Sequence, residues 1–288
     1  MADNGAQILD RGYRRYEGSR SGTVGAVRSV AWHTTRSILG LGRKARHKIF
    51  PVIVVVIAFI PAIVFLGLTV LIGDLLEDEL QPEYWELFGF SNVAIVLFAT
   101  LVAPEAIVRD RRDGMLSLYL STPLTRSTYV AAKVIATLGT MSIITIGPPI
   151  LALLGYTFQS QGPGGVLEWF EVLAKLVVSG LLIVAVLTAV SLGASSLTDR
   201  RAFASVAVIM IMIGSLTVTA VLINVAGGSQ SLGALSPFSA FEVAPRMFGD
   251  RSEDAEEVET WLVVAATFGW IAAGSSVLWW KYRRLGAV

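Results

Sequence analysis

The 288-residue chain has no cysteine, which removes disulfides, thiolate nucleophiles and cysteine-ligated metals from consideration. Histidine is almost as scarce. His33 and His47 precede the first long apolar run, so an HExxH metal motif is impossible, and both read as members of a basic interfacial stretch rather than as ligands. Gly-x-Ser-x-Gly is missing, and Gly40-Leu41-Gly42-Arg43-Lys44 has neither the spacing nor the preceding strand of a phosphate-binding loop. Any nucleotide chemistry therefore belongs to another polypeptide. Charge is also in short supply: 16% of residues are Asp, Glu, Lys or Arg and 54% are apolar, whereas an average soluble chain carries about 25% charged residues. A soluble domain is excluded, and lipid remains as the solvent.

What is present is a series of six apolar runs, over 50–73, 88–108, 134–158, 176–197, 202–226 and 261–280. At about 1.5 Å per residue, each crosses a hydrocarbon core of about 30 Å. The fold class expected is an all-α integral membrane protein with six transmembrane helices. The domain layout is a tail over 1–23, an amphipathic interfacial helix over 24–49, the membrane domain over 50–280 and a second tail over 281–288. The first 49 residues carry ten basic side chains and no early apolar segment, so no cleavable signal peptide is expected and the first span serves as the insertion signal. Arginine outnumbers lysine 18 to 5, a composition that fits a high-GC genome and hence the cell membrane of a bacterium or archaeon.

Orientation follows from where Lys and Arg flank the spans. The segments before span one, between spans two and three, between four and five and after six hold 20 of the 23 basic residues, with Lys133 counted in its loop. The opposite segments are acidic, with Asp74, Glu77, Asp78, Glu79, Glu83 and Glu86 after span one and seven carboxylates between Glu242 and Glu259. Both termini are thus expected on the cytoplasmic side. Ser252 with Glu253 and Asp254 reads as an N-cap for span six. Trp261, Trp279 and Trp280 mark the two interfaces.

The deep thirds of the spans lack ionisable side chains, which disfavours a proton- or sodium-coupled carrier. Glu105 stands at the cytoplasmic end of span two. Glu171 and Lys175, spaced i, i+4 at the outer end of span four, read either as an interfacial ion pair or as a substrate contact near an outer exit. Small residues at Ala185, Ala189 and Gly193, and at Ala265, Gly269 and Ala273, permit close helix approach. Pro61 should bend span one, and Pro148 with Pro149 should break span three.

The segment joining spans two and three is the most informative. It runs Ala103-Pro104-Glu105-Ala106-Ile107-Val108-Arg109-Asp110-Arg111-Arg112-Asp113-Gly114-Met115-Leu116-Ser117-Leu118-Tyr119-Leu120-Ser121-Thr122-Pro123-Leu124-Thr125-Arg126, with Lys133 beyond it. Asp113 is a candidate cap for a short helix through Leu120, and Pro123 stops it. That helix carries Leu116 and Leu120 on one face, with Met115, Leu118 and Tyr119 around the rest. It is too apolar for a hydrated loop, so it lies in the interface or plugs into a groove of a cytoplasmic partner.

This pattern resembles the permease subunits of ABC-2 type transporters: an acid ending span two, basic residues, a glycine opening a leucine-rich helix, Ser/Thr-Pro-Leu-x-Arg, and a lysine heading span three. Glu105, Arg111, Arg112, Gly114, Leu116, Leu118, Leu120, Ser121, Pro123, Leu124, Arg126 and Lys133 fit it. Met115 replaces the usual Thr, and Ser117 stands where an acid is common. The resemblance implies that the elbow, including Asp113, Met115 and Tyr119, is a coupling helix docking into an ATP-binding subunit present in two copies. It also implies dimerisation with a second permease copy or a paralogue, ATP and Mg bound only by the partner, and no catalytic, cofactor or metal site in this chain. No nucleic-acid partner is implied. Val27, Ala31, Thr34, Ile38, Leu41, Ala45 and Ile49 look like the family's N-terminal connecting helix, and residues 13–20 like its leader. Gly227 to Glu259 corresponds to short re-entrant outer helices. The function implied is export of an amphiphilic or hydrophobic substrate. The competing readings are a non-transporting scaffold or ion-driven carrier, and a lipid-acting membrane enzyme, which the missing catalytic residues undercut.

Overall fold

The computed structural model describes residues 22–41, 46–72, 82–120, 123–249 and 258–284. Among them there are helices and connections and no strand: α1 (Gly22–Ile38), α2 (Arg46–Ile72), α3 (Glu86–Phe90), α4 (Asn92–Leu101), α5 (Glu105–Arg112), α6 (Met115–Leu120), α7 (Arg126–Thr145), α8 (Gly147–Phe158), α9 (Val166–Ser195), α10 (Arg201–Asn224), two 3-10 turns (Gln230–Leu235 and Pro237–Glu242), α11 (Val243–Phe248) and α12 (Thr260–Arg284). Six stretches among the described residues are long and apolar enough to cross a membrane: Lys48–Leu71, Asn92–Arg112, Arg126–Thr145, Val166–Ser195, Arg201–Asn224 and Thr260–Arg284.

The boundaries have local causes. Helix α1 stops at Ile38 rather than running to Ile49, because Gly40 adopts a positive φ of 69°. Its N–H reaches the Ser37 carbonyl at 3.1 Å while Leu41 N–H reaches Arg36 at 2.7 Å, the paired closure of a glycine-terminated helix. Ile49 belongs to α2, and Ala45 lies outside the described residues. Span two is broken at Val102–Pro104, since proline has no N–H to donate and disfavours a helical residue before it. Span three starts at Arg126, earlier than 134, because Thr125 and Thr128 form a reciprocal capping box. The same span breaks at Ile146, with Pro148 in the first turn of α8, as the two prolines require. Helix α9 begins at Val166, ahead of the apolar run, so Glu168, Glu171 and Lys175 extend it beyond the hydrocarbon stretch. The cap expected at Ser252, with Glu253 and Asp254, falls outside the described residues, as does the leader at 13–20.

Helix α9 is the hub. Of its apolar window 72% is buried, against 17% for Arg201–Asn224 and for Thr260–Arg284. Its closest neighbour is α12, and the approach is made possible by glycine. A Cβ at Gly274 would lie 2.4 Å from the Ala189 backbone, and one at Gly193 would lie 2.8 Å from the Gly274 carbonyl oxygen. Ala189 and Gly193 thus form the small-residue seam as expected, but its counterpart on α12 is Gly274; Gly269 faces open space. Helices α2 and α8 meet in the same manner, with Gly147 against Phe59 and Gly155 against Leu66. Hydroxyls tie the inner helices across their backbones: Ser91 donates to the Ala58 carbonyl at 2.8 Å and Ser191 to Ala99 at 2.7 Å.

The outward faces of α2 and α10 are apolar, with Val56, Ile60 and Ile63 on one and Phe203, Met210 and Val218 on the other all exposed. Trp261, Trp279 and Trp280 are exposed at the two ends of α12, as interfacial anchors are. The 3-10 turns and α11 pack onto α9, α10 and α12, burying Ala240, Val243 and Ala244.

Because van der Waals packing rather than hydrophobicity holds helices together in lipid, the α9–α12 seam should be intolerant of bulk. Gly274→Val is expected to destabilise the protein by about 1–3 kcal/mol, whereas Gly269→Ala leaves stability unchanged. Thermal unfolding in detergent measures both, and equal midpoints for the two variants would contradict the seam.

Candidate functional site

The elbow is built from α5, α6 and the start of α7. Helix α5 carries Glu105 in its first turn and Arg109, Arg111 and Arg112 in its last, an order that suits the helix dipole at both ends. Asp113 does not cap α6 as expected from the sequence. It closes α5, where its carboxylate pairs with Arg109 at 3.5 Å and Arg112 at 3.2 Å. The turn into α6 is made by Gly114, whose φ of 66° is strained for any other residue.

Each basic residue reaches a different element. Arg111 donates to the Ser196 carbonyl and pairs with Asp199 at 2.7 Å, so a guanidinium sits at the C-terminal end of α9, whose own last turn has no basic residue. Glu105 pairs with Arg201 at 3.4 Å, and Arg201 also donates to the Leu101 carbonyl at 3.0 Å. Arg109 donates to Ser37 Oγ at 2.9 Å, and Arg126 to the Arg283 carbonyl at 3.4 Å. The basic residues that the charge pattern groups on one side are thereby gathered at one end of the bundle.

Beneath the elbow lies a cluster that the sequence reading missed. Lys133, counted above with the loop, is seven residues inside α7 and only 2% exposed. Its Nζ lies 2.5 Å from Asp110 Oδ2 and donates to Thr34 Oγ1 at 2.9 Å. Tyr129 donates to the same Asp110 oxygen at 3.0 Å. Rings close over the pair: Tyr129 lies 5.8 Å from Tyr282 and 5.6 Å from Tyr119, and Lys133 Nζ is 5.4 Å from the Tyr129 ring centre. One ion pair therefore joins α1, α5, α7 and α12, with α6 resting on it through Tyr119. Asp110 shares a helical face with Ala106 and Ile107, both buried, and that spacing was the available signal.

The two sides of α6 differ. Tyr119 faces inward, and burial first, then the Asp110 carboxylate, pushes its phenol above the ordinary value. Leu118 points out and is 58% exposed. Arg112, Asp113, Gly114, Pro123 and Arg126 are exposed around it, and Met115 is half-buried. The side chains of Leu116 and Leu120 lie outside the described residues.

The model for ABC-2 family transporter proteins matches residues 21–280, a stretch that includes this elbow. The chain belongs to that family. No curated protein matches it individually. As an ABC-2 membrane protein it also presents Glu171 and Lys175 at the end opposite the elbow, paired at 2.8 Å. Lys175 lies 5.5 Å from the Phe248 ring, and both members line a cleft of about 420 Å³ with Glu83, Tyr84 and Glu168. Burial, followed by Tyr156, Glu168 and Glu83, pushes the Tyr84 phenol up to about 12. The elbow and this pair are not brought together; they occupy opposite ends of α9.

Removing one partner of a buried ion pair leaves an uncompensated charge and costs about 3–5 kcal/mol. Asp110→Asn and Lys133→Met are each expected to destabilise the ABC-2 protein in that range, and the double variant to recover part of the loss. A double-mutant cycle on unfolding in detergent checks this; strict additivity would mean that the pair carries no coupling.

Proposed function

We propose that this ABC-2 protein is the permease subunit of an ATP-binding cassette exporter, with α6 as the coupling helix that seats in a separate ATP-binding subunit. Two such subunits drive two permeases, the second being another copy or a paralogue. ATP and Mg belong to the partner, since this sequence has no phosphate-binding loop. The observation that carries the proposal is the asymmetry of α6: Leu118 is offered outward among charged residues, while Tyr119 is clamped on the Asp110–Lys133 pair. A force on Leu118 thus bears on four helices rather than on a loose loop.

The end carrying α6 is assigned to the cytoplasm by its basic residues, in the cell membrane of a bacterium or archaeon. The scarcity of ionisable side chains in the six apolar runs favours an amphiphilic or hydrophobic cargo over an ion. The coupling set is Glu105, Arg111, Arg112, Asp113, Gly114, Met115, Leu116, Leu118, Tyr119, Leu120, Pro123 and Arg126, of which Glu105 and Arg111 act from within by holding the elbow on α9 and α10. Glu171 and Lys175 are candidates for the outer part of the pathway.

Co-purification tests the docking. Leu118→Asp should release the ATP-binding subunit while the permease retains its unfolding midpoint, because an exposed side chain contributes little to stability. Undiminished association of the Leu118→Asp protein would remove α6 as the joint.

A further inference from the structure

At the elbow end of the bundle, α1 packs on α7 and leaves an open groove of about 770 Å³ along its flank, within the usual ~300–1,000 Å³ range of small-molecule sites. Its apolar lining includes Val24, Ala31 and Trp32 from α1 and Ile135 from α7, and its charged member among the described residues is Arg28. Helical spacing divides α1 into two faces. Val30, Thr34 and Ile38 are buried, with Thr34 accepting from Lys133. Val24, Arg28, Ala31, Trp32 and Thr35 fall together on the neighbouring side. That side is left uncovered: Trp32 is 64% exposed and Ile135 55%.

Depth and charge name the occupant. Helix α7 is one of the six candidate spans, and Ile135 stands at the start of its apolar run over 134–158, so the groove lies where acyl chains give way to headgroups. Exposed tryptophan suits that depth. From Gly18 to Gly73 the chain carries seven basic residues and no Asp or Glu. Across from α1, the carboxylates of Asp110 and Asp113 are already held by Lys133 and by Arg109 and Arg112. Residues 1–21 set four arginines against three carboxylates, which makes them a poor partner for another arginine. A zwitterionic headgroup would bring an ammonium into this field, whereas a phosphodiester without one adds only the anion. We propose that the groove binds an anionic phospholipid of the leaflet at the elbow end, with its phosphate at Arg28 and an acyl chain passing Trp32 and Ile135. The site needs α1 at a bilayer surface and does not rest on the docking role of the elbow.

Two probes test it, phosphatidylglycerol and phosphatidylcholine carrying the same diazirine-bearing acyl chain. Each is supplied at equal mole fraction to the full chain in phosphatidylcholine nanodiscs, and labelling is located by peptide mass spectrometry. Labelling by phosphatidylglycerol is expected over 24–35 and at 135–136, roughly fivefold above phosphatidylcholine, the size of one basic side chain acting near a charged surface. Raising the salt should shrink that ratio. Arg28→Gln should abolish it. Arg36→Gln is the control, since it removes the same charge from the same helix. Arg36 is turned about 80° from Arg28 at 3.6 residues per turn and is not part of the groove, so its loss should change the ratio less than about twofold. Both arginines are exposed, and neither variant should move the unfolding midpoint. Equal losses in the two variants would reduce the effect to diffuse attraction and overturn the site. Equal labelling by the two probes would overturn it too, as would labelling that avoids both stretches because residues 1–21 or a second permease fills the groove.

Discussion

Lys133 is the constraint from which the rest of the elbow follows. A lysine at 2% exposure is sustained only with an opposite charge in contact and its remaining donors satisfied. Asp110 must therefore be held at 2.5 Å, which docks α5 onto α7. Thr34 must supply an acceptor, which brings α1 alongside, and Tyr129 must take up the second demand of the carboxylate. Tyr282 then covers the pair from α12. Because Asp110, Thr34 and Tyr282 sit on three helices other than α7, none of these helices can be shifted without exposing a charge to an apolar surround, and α6 inherits that rigidity through Tyr119.

Much of this architecture was legible in the sequence, for reasons that differ from one element to the next. The six spans follow from length and hydropathy, which no tertiary contact overrides in lipid. The break at Pro148 and Pro149 follows from a missing donor. The short α6 follows from Gly114 and Pro123. What escaped was of two kinds, local side-chain pairing by atypical residues and contacts between residues far apart in the chain. Lys133 looks like a loop residue until Thr125 caps α7 ahead of it, and that cap is hidden because Thr128, rather than Glu or Gln, stands at the third helical position. Asp113 looks like a cap for α6 because Asp before a helix usually is one; the arginines preceding it claim its carboxylate first. Gly274 was passed over for Gly269 because a small-residue spacing names a face only to within a residue.

The two kinds of helix surface are told apart by chemistry rather than by hydrophobicity. Lipid tails are as apolar as leucine, so the bulky faces of α2 and α10 gain little by packing inward. The inward stripe of α2 is Val54, Ala58 and Ala62, all 0% exposed, and it is met by the Ser91 hydroxyl at the Ala58 carbonyl. Small side chains let backbones approach, and once they do, a serine on one helix can reach a carbonyl on the next. The Ser191–Ala99 bond between α9 and α4 repeats the device. Packing in this bundle is therefore specified by what is absent from the contact faces.

This distribution bears on how displacement at one end reaches the other. The α7–α8 route is interrupted at Ile146, where Pro148 and Pro149 remove the backbone donors that would stiffen it. Helix α9 is continuous over Val166–Ser195, about 45 Å at 1.5 Å per residue. At one terminus it receives Arg111 from the elbow, and near the other Lys175 lies against Phe248 of α11. Its flank is locked to α12 through Gly193 and Gly274, where even a single added methyl meets backbone. A push on the elbow of the kind proposed would thus be carried by α9 and α12 as one rigid unit, with the hinge in α7 absorbing the difference, so the far-end turns would move with α9 while α8 stays with α2.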